Sequence, residues 1–205
     1  MALDQRAKWD QRFARAKAIN PPAQVLQRNS HLLSSKGRAL EIACGLGGNS
    51  LFLAGQGYQV DALDISGVAL QKLSAEAERR GLFVNTVRTD VEKQFSNTAS
   101  YDLIVVSHFL YRPLCPALAK ALKPGGLLFY QTFTRDARPD NGPSNPAWCL
   151  RRNELLELFA GLELVYYREE AELGQCDTKV GGLACYVGRK SQPTSVATSG
   201  RDFHT

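Results

Sequence analysis

The feature that most constrains this chain is an alternation. Between residues 38 and 188, short apolar runs of strand length are separated by segments with helical periodicity. That order is the pattern of an α/β fold, a mostly parallel sheet covered by helices. The runs fall at 38–43, 58–63, 82–88, 101–106, 127–132, 162–167 and 183–187, which predicts a doubly wound, seven-stranded sheet. Leu103-Ile104-Val105-Val106 has the continuous apolar character of a strand buried on both faces. Ser66 is placed to cap a helix whose Ala69, Leu70, Leu73 and Ala77 recur at helical spacing, and Gly81 closes it. Further helices are expected around 51–54, 114–122 and 151–159, and Lys123-Pro124-Gly125-Gly126 has Pro and Gly where a type II turn needs them. The last strand is expected to be antiparallel, at the sheet edge.

The ends differ from this core. Residues 3–19 carry Trp9, Phe13 and Ala16 on one helical face, Asn20-Pro21-Pro22 breaks the pattern, and a second helix should end before Gly37. The chain therefore divides into N-terminal helices at 1–37, a core domain at 38–189 and a Ser/Thr-rich tail at 190–205, expected to be flexible. The Pro- and Asn-rich stretch 133–149 is too long for a mere connector. A hydrophobic share of 44% with 22% charged residues excludes a wholly disordered or fibrous chain. No run approaches the ~18 apolar residues of a membrane span, and the start has no apolar signal core, so a cytoplasmic protein is expected. Cys44, Cys115, Cys149, Cys176 and Cys185 form no Cys-x-x-Cys pair, and His31, His108 and His204 cluster with none of them, so no metal site is expected. The net charge of +5 is uneven: residues 1–38 hold eight Lys/Arg against Asp4 and Asp10. A basic arm is either the footprint of a nucleic acid or the solvated face of an amphipathic helix.

The chemistry concentrates at the strand ends. Ala39-Leu40-Glu41-Ile42-Ala43-Cys44-Gly45-Leu46-Gly47-Gly48 joins the first strand to its helix, where doubly wound sheets bind nucleotides. Glycines let a backbone approach a ligand closely, and the helix start offers free N–H groups. A dinucleotide fingerprint would need a third glycine where Ser50 stands, and Glu41 suits a cationic amino group better than a pyrophosphate. Asp64 ends the second strand, 19 residues beyond Gly45, where a carboxylate can take both hydroxyls of a ribose. Asp90 follows the third strand, so the fold would gather Glu41, Asp64 and Asp90 on one edge.

Glu41-x-x-x-Gly45-x-Gly47, Asp64, Asp90 and the Leu122-Lys123-Pro124-Gly125-Gly126 turn together resemble the class I S-adenosylmethionine-dependent methyltransferases. Trp9-Asp10, Gly47-Gly48-Asn49, Gln56-Gly57-Tyr58, Leu110-Tyr111-Arg112 and Gly142-Pro143-Ser144-Asn145-Pro146 are most similar to the small bacterial tellurite-resistance-type members. The resemblance implies the Rossmann-like methyltransferase fold, S-adenosylmethionine as cofactor, and a role for each matching position. Gly45 and Gly47 would pass beneath the methionine part, with Glu41 ordering the loop and Asn49 beside it. Asp64 would bind the ribose, Ile65 and Val91 would flank the adenine, and Asp90 would accept from its amino group. Ser107 and His108 would lie near the transferring methyl. Two positions depart from the family pattern. Ala43 replaces the first glycine, an exchange that ordinary strand dihedrals accommodate, and Gly48 replaces an arginine.

A sulfonium methyl is already electrophilic, so the enzyme's work is alignment and the exclusion of water. His108 is the candidate general base for an acceptor that begins protonated. Trp9, Tyr111, Arg112 and Asn145 are candidates to line the acceptor pocket, Arg112 either for an anionic acceptor or as half of an ion pair. The expected acceptor is a small molecule: a thiol, a metalloid oxyanion or a similar nucleophile. An RNA methyltransferase gripping through the basic arm and a non-catalytic cofactor-binding regulator stay open as rivals. Asn20-Pro21-Pro22-Ala23 imitates the motif of nucleic-acid amino methylation but precedes a helix and lacks its aromatic, so no DNA partner is expected. The N-terminal helix is expected to act as a lid, its basic face outward.

Overall fold

A computed structural model of the chain describes residues 4–95, 100–136, 143–170 and 182–192. Seven strands form one sheet: β1 (Gly37–Ile42), β2 (Tyr58–Asp64), β3 (Val84–Arg88), β4 (Tyr101–Ser107), β5 (Leu122–Phe133), β6 (Glu163–Glu169) and β7 (Leu183–Arg189). Their order is β3-β2-β1-β4-β5-β7-β6, parallel except for β7, which runs antiparallel to both neighbours. The expectation for the last strand needs one correction. β7 lies inside the sheet and is buried from Leu183 to Gly188, whereas β6, with exposed Leu164 and Val165, takes the edge. Burial on both faces suits the continuous apolar run of β7, and the charged ends of β6 suit an edge.

Alternate residues of each strand feed opposite faces. Leu103, Val105, Phe129 and Val187 pack with Val25 and Leu26 of α2 (Gln24–Arg28) and Leu53 of α3 (Gly48–Gly55). Ile104, Val106, Leu128 and Tyr130 pack on the other face with Leu118 and Leu155. Those two leucines belong to the later helices (Cys115–Ala121 and Glu154–Leu158). A helix over Gly67–Arg79 turns Leu70, Leu73 and Ala77 onto Leu51 and Ala62, and its Ser66 cap forms as the sequence predicts, accepting from the Ala69 N–H at 3.2 Å.

The N-terminal segment divides in two. The first helix, α1 (Gln5–Arg15), is shorter than the periodicity over 3–19 and has no buried residue, whereas α2 belongs to the core. Chain order reverses between β1 and β4, so their carboxyl ends flank the crevice typical of open α/β sheets. The four described cysteines, Cys44, Cys115, Cys149 and Cys185, are free and buried. Cys176 and the tail from 193 onward lie outside the described residues, as do 137–142 of the long loop. Among the described residues, no helix is long and apolar enough to cross a membrane, and no group of three or more His, Cys, Asp or Glu could hold a metal ion.

Candidate functional site

The loop after β1 turns sharply because three of its residues adopt left-handed backbone: Ala43 (φ 50°), Gly45 (φ 51°) and Gly47 (φ 75°). Ala43 therefore departs from the ordinary strand dihedrals expected at this position. The turn requires the left-handed region there, and an alanine in that region costs about 1–2 kcal/mol. The glycines have different tasks. A Cβ on Gly47 would stand 2.3 Å from Leu73 Cδ1, so this glycine lets the loop pack on α4 (Gly67–Arg79). A Cβ on Gly45 would meet the Phe13 ring of α1 at 3.1 Å, so the N-terminal helix lies directly over the loop. Gly48 leaves room for the arm between α1 and α2, since its Cβ would stand 2.2 Å from the Asn20 carbonyl oxygen.

Beneath this loop sits Glu41, 1% exposed. Its Oε1 accepts from Asn49 Nδ2 at 2.8 Å, and its Oε2 accepts from the Ser50 N–H at 2.8 Å and the Ser50 hydroxyl at 2.5 Å. Burial outweighs these donors and pushes the carboxyl up to about 7. Asp64, also buried, accepts from the Gly45 N–H at 2.7 Å and the Ser66 N–H at 2.8 Å, and burial raises its pKa too. The Thr89 N–H donates to the Asp64 carbonyl at 2.9 Å, which draws the turn bearing Asp90 alongside. Asp90 is half-buried and pairs with Lys93 at 2.9 Å. Ile65 is half-buried beyond Asp64, while Val91 is buried in the core with Ile42 and Val106.

Strand β4 ends at Ser107, whose hydroxyl accepts from Asn49 Nδ2 at 3.1 Å. His108 follows in left-handed backbone (φ 55°), a conformation uncommon for a non-glycine residue and found at functional sites. Its N–H donates to the Gln131 carbonyl at 2.8 Å, and its ring centroid lies 5.3 Å from that of Phe133. Solvent reaches the ring, yet enough protein surrounds it that desolvation holds its pKa below 6.5. No carboxylate contributes to that shift. Neutral imidazole is therefore the dominant form at neutral pH.

The residues suggested for the acceptor side separate. Arg112 is engaged by protein: it donates to both oxygens of Glu154 at 2.8 and 2.9 Å, to the Ala147 carbonyl at 2.7 Å and to the Cys149 carbonyl at 3.0 Å. Of its two readings, the ion pair is the one formed, and it fastens the stretch carrying Trp148. Tyr111 packs half-buried against the core. Asn145 caps the short turn Pro146–Trp148 by accepting from the Ala147 N–H. Trp9 stacks on Phe13 with centroids 5.6 Å apart, on the helix that covers the loop.

Two contacts on α1 had no sequence signal. Asp10 accepts from the Ser66 hydroxyl at 2.6 Å, which lowers its pKa, and from the Val68 N–H at 3.3 Å, so it reinforces the start of α4. Lys72, one turn further along α4, donates to the carbonyls of Phe13, Ala14 and Ala16 at 2.7, 3.1 and 2.9 Å. An ammonium has three donors and no acceptor, and here all three close the C-terminus of α1. Lys8 reaches across to Trp148, 5.7 Å from the ring centroid.

A family model described as "Methyltransferase domain" matches residues 9–173. The chain is 32% identical over 123 residues to a ubiquinone biosynthesis O-methyltransferase of Burkholderia vietnamiensis, covering 57% of this chain and 53% of that protein. It is 30% identical over 149 residues to the probable S-adenosyl-L-methionine-dependent methyltransferase TehB of Haemophilus influenzae, covering 68% of this chain and 51% of that one. The chain thus spans about half the length of these curated relatives. Among solved structures, TehB from Haemophilus influenzae superposes with a TM-score of 0.67 at 22% identity, over 89% of this chain and 67% of that chain. A SAM-dependent methyltransferase from Methanosarcina mazei gives 0.64 at 20% identity, over 85% and 100% respectively.

Proposed function

The chain belongs to the methyltransferase-domain family, and from that premise we propose that it is an S-adenosylmethionine-dependent enzyme that methylates a small-molecule acceptor in the crevice between the Gly45 loop and His108. One observation carries this reading. The crevice places two buried carboxylates, Glu41 and Asp64, beneath a left-handed glycine loop, and a neutral histidine at the next strand end. Both carboxylates are held against the cost of burial, so each gains from a ligand that brings a cation or hydroxyl donors. The residues therefore fit the cofactor: Glu41 for its ammonium, Asp64 for its ribose hydroxyls, Asp90 and Ile65 for its adenine, and the Gly45 backbone for close approach. When bound, the cofactor supplies an electrophilic sulfonium methyl.

The chain's own residues supply the rest. Ser107 and His108 present the acceptor side. Nε2 or Nδ1 of a neutral His108 accepts a proton from an acceptor that arrives protonated. Helix α1, with Phe13 over the loop and Trp9 stacked on it, excludes water, and its Lys8–Trp148 contact joins it to the loop fastened by Arg112. Arg112 acts here by positioning that loop.

The test is transfer of radiolabelled methyl across thiols, metalloid oxyanions, small phenols and RNA, with wild type and His108→Ala. Label in a small acceptor is the expected result. For an acceptor protonated at neutral pH, His108→Ala should lower kcat by about 10²-fold or more. In wild type, kcat should fall as pH drops below the depressed histidine pKa. Label entering RNA alone, with retention weakening steeply as salt rises, would replace this reading with RNA methylation.

A further inference from the structure

Asn49 was expected beside the cofactor, yet the structure gives its side chain other work. An asparagine amide offers two N–H donors and one carbonyl oxygen. Here the oxygen accepts from the Ala23 N–H at 2.7 Å, and Nδ2 donates to Glu41 Oε1 at 2.8 Å and to Ser107 Oγ at 3.1 Å. Asn49 is 3% exposed, so both donors are spent inside the protein. The network also fixes which way the amide points. A backbone N–H can only donate and an ionised carboxylate can only accept, so a flipped amide would set donor against donor and acceptor against acceptor. Aspartate would lack the two donors, and alanine would take this partner from the buried Ala23 N–H and Glu41 and from the half-buried Ser107.

The three partners lie on the three parts of the proposed site. Glu41 is the carboxylate beneath the cofactor loop. Ser107 ends β4 and precedes His108, whose backbone is left-handed (φ 55°). Ala23 is the foot of the arm that leads to α1, and that arm crosses so near Gly48, the residue before Asn49, that a Cβ there would stand 2.2 Å from the Asn20 carbonyl oxygen. A second tie at the same foot, the Val25 N–H donating to Gln131 Oε1 at 3.0 Å, binds the arm to the end of β5.

We propose that Asn49 is a positioning residue for methyl transfer, tying the cofactor-side carboxylate Glu41 to the acceptor-side hydroxyl of Ser107 and to the foot of the N-terminal arm. The proposal rests on the reading of the Gly45 loop as the cofactor cradle. It separates two effects of one side chain. Through Glu41, Asn49 favours the charged carboxylate, so its loss weakens cofactor binding most where Glu41 titrates. Asp64 and the buried Cys44 thiol are the other titratable groups beside Glu41. Through Ser107, Asn49 holds the acceptor side, so its loss lowers turnover even with cofactor saturating.

The experiment is calorimetric titration of S-adenosylmethionine into the full chain between about pH 5.5 and 8.5, the range that spans the Glu41 carboxyl, together with kcat for wild type, Asn49→Ala, Ser107→Ala and the double variant. In Asn49→Ala the pH midpoint of binding should move up by about half a unit or more as Glu41 loses a donor. Its kcat should fall about tenfold through misplacement at the acceptor side. Ser107→Ala should keep the wild-type midpoint and lose kcat by a similar factor, and the double variant should be no slower than Asn49→Ala. A packing role alone lowers the melting temperature and leaves midpoint and kcat within about twofold, and that result overturns the proposal. Wild-type titration reports on the cradle by itself: absent binding there overturns the functional reading and this proposal with it. If Asn49→Ala fails to fold, Ser107→Ala decides, since unchanged kcat in that variant also overturns the proposal.

Discussion

Glu41 carries the sharpest conflict in the molecule between stability and function. Its carboxyl is buried and stands at about 7, above the 4.5 of an ordinary glutamate. A pKa raised on folding means that the folded state favours the protonated form. The stabilisation is fully present below about pH 4.5 and is lost as pH rises through about 7, by ~3 kcal/mol at most. Glu41→Gln cannot titrate. Relative to wild type, its unfolding free energy should therefore improve by roughly 1–3 kcal/mol between about pH 5 and 8, whatever constant offset the amide introduces. Denaturant melts at both pH values measure this, and parallel pH profiles would show that Glu41 stays ionised in the fold. At the same scale, some features were legible and others were not. Asp64 and Asp90 could be placed because strand lengths fix where an edge falls. The left-handed Ala43 was hidden, since the geometry of that turn is imposed by its surroundings. The Asn49 network was hidden because its partners lie 26 and 58 residues away, and the Arg112–Glu154 pair because it spans 42.

Among the described α-helices, α1 is the one that burial does not hold in place. It has no buried residue, so its place depends on Asp10, Lys72 and the Phe13 contact with the loop. A helix of 11 residues is marginal by itself in water, and only docking keeps it in place. Deleting residues 1–18 should thus leave a core with a near wild-type melting temperature, while cofactor affinity falls by about three- to tenfold and turnover is lost. Lys72→Met, which keeps the aliphatic stem but removes the three carbonyl contacts, should produce a milder form of the same loss. Affinity equal to wild type in the truncated chain would refute the lid and return the arm to a role in gripping another partner. The amphipathic face with Trp9 and Phe13 was visible in the sequence. The anchoring lysine was not, because a lysine on an exposed helix reads as solvated until its neighbour is known.

The sheet order explains why the pieces meet. Parallel pairing brings the carboxyl ends of β1, β2 and β4 to one edge, and the reversal of chain order between β1 and β4 opens the crevice there, so Glu41, Asp64 and His108 gather at that edge from distant parts of the chain. Strand–helix alternation was enough to read this architecture, since parallel strands with right-handed crossovers leave few alternatives. Placing β7 inside β6 was not readable from alternation, because either antiparallel order satisfies the same apolar pattern. In the proposed function, the crevice at this edge is the cofactor cradle, with Asp64 as its ribose carboxylate. Calorimetric titration of S-adenosylmethionine into Asp64→Ala, alongside a thermal melt to establish folding, tests it most directly. A loss of at least about tenfold in affinity is predicted, since charge-assisted hydrogen bonds of roughly 1.5–3 kcal/mol each are removed. Affinity within about twofold of wild type in a folded variant, a difference too small for even one such bond, would contradict the claim.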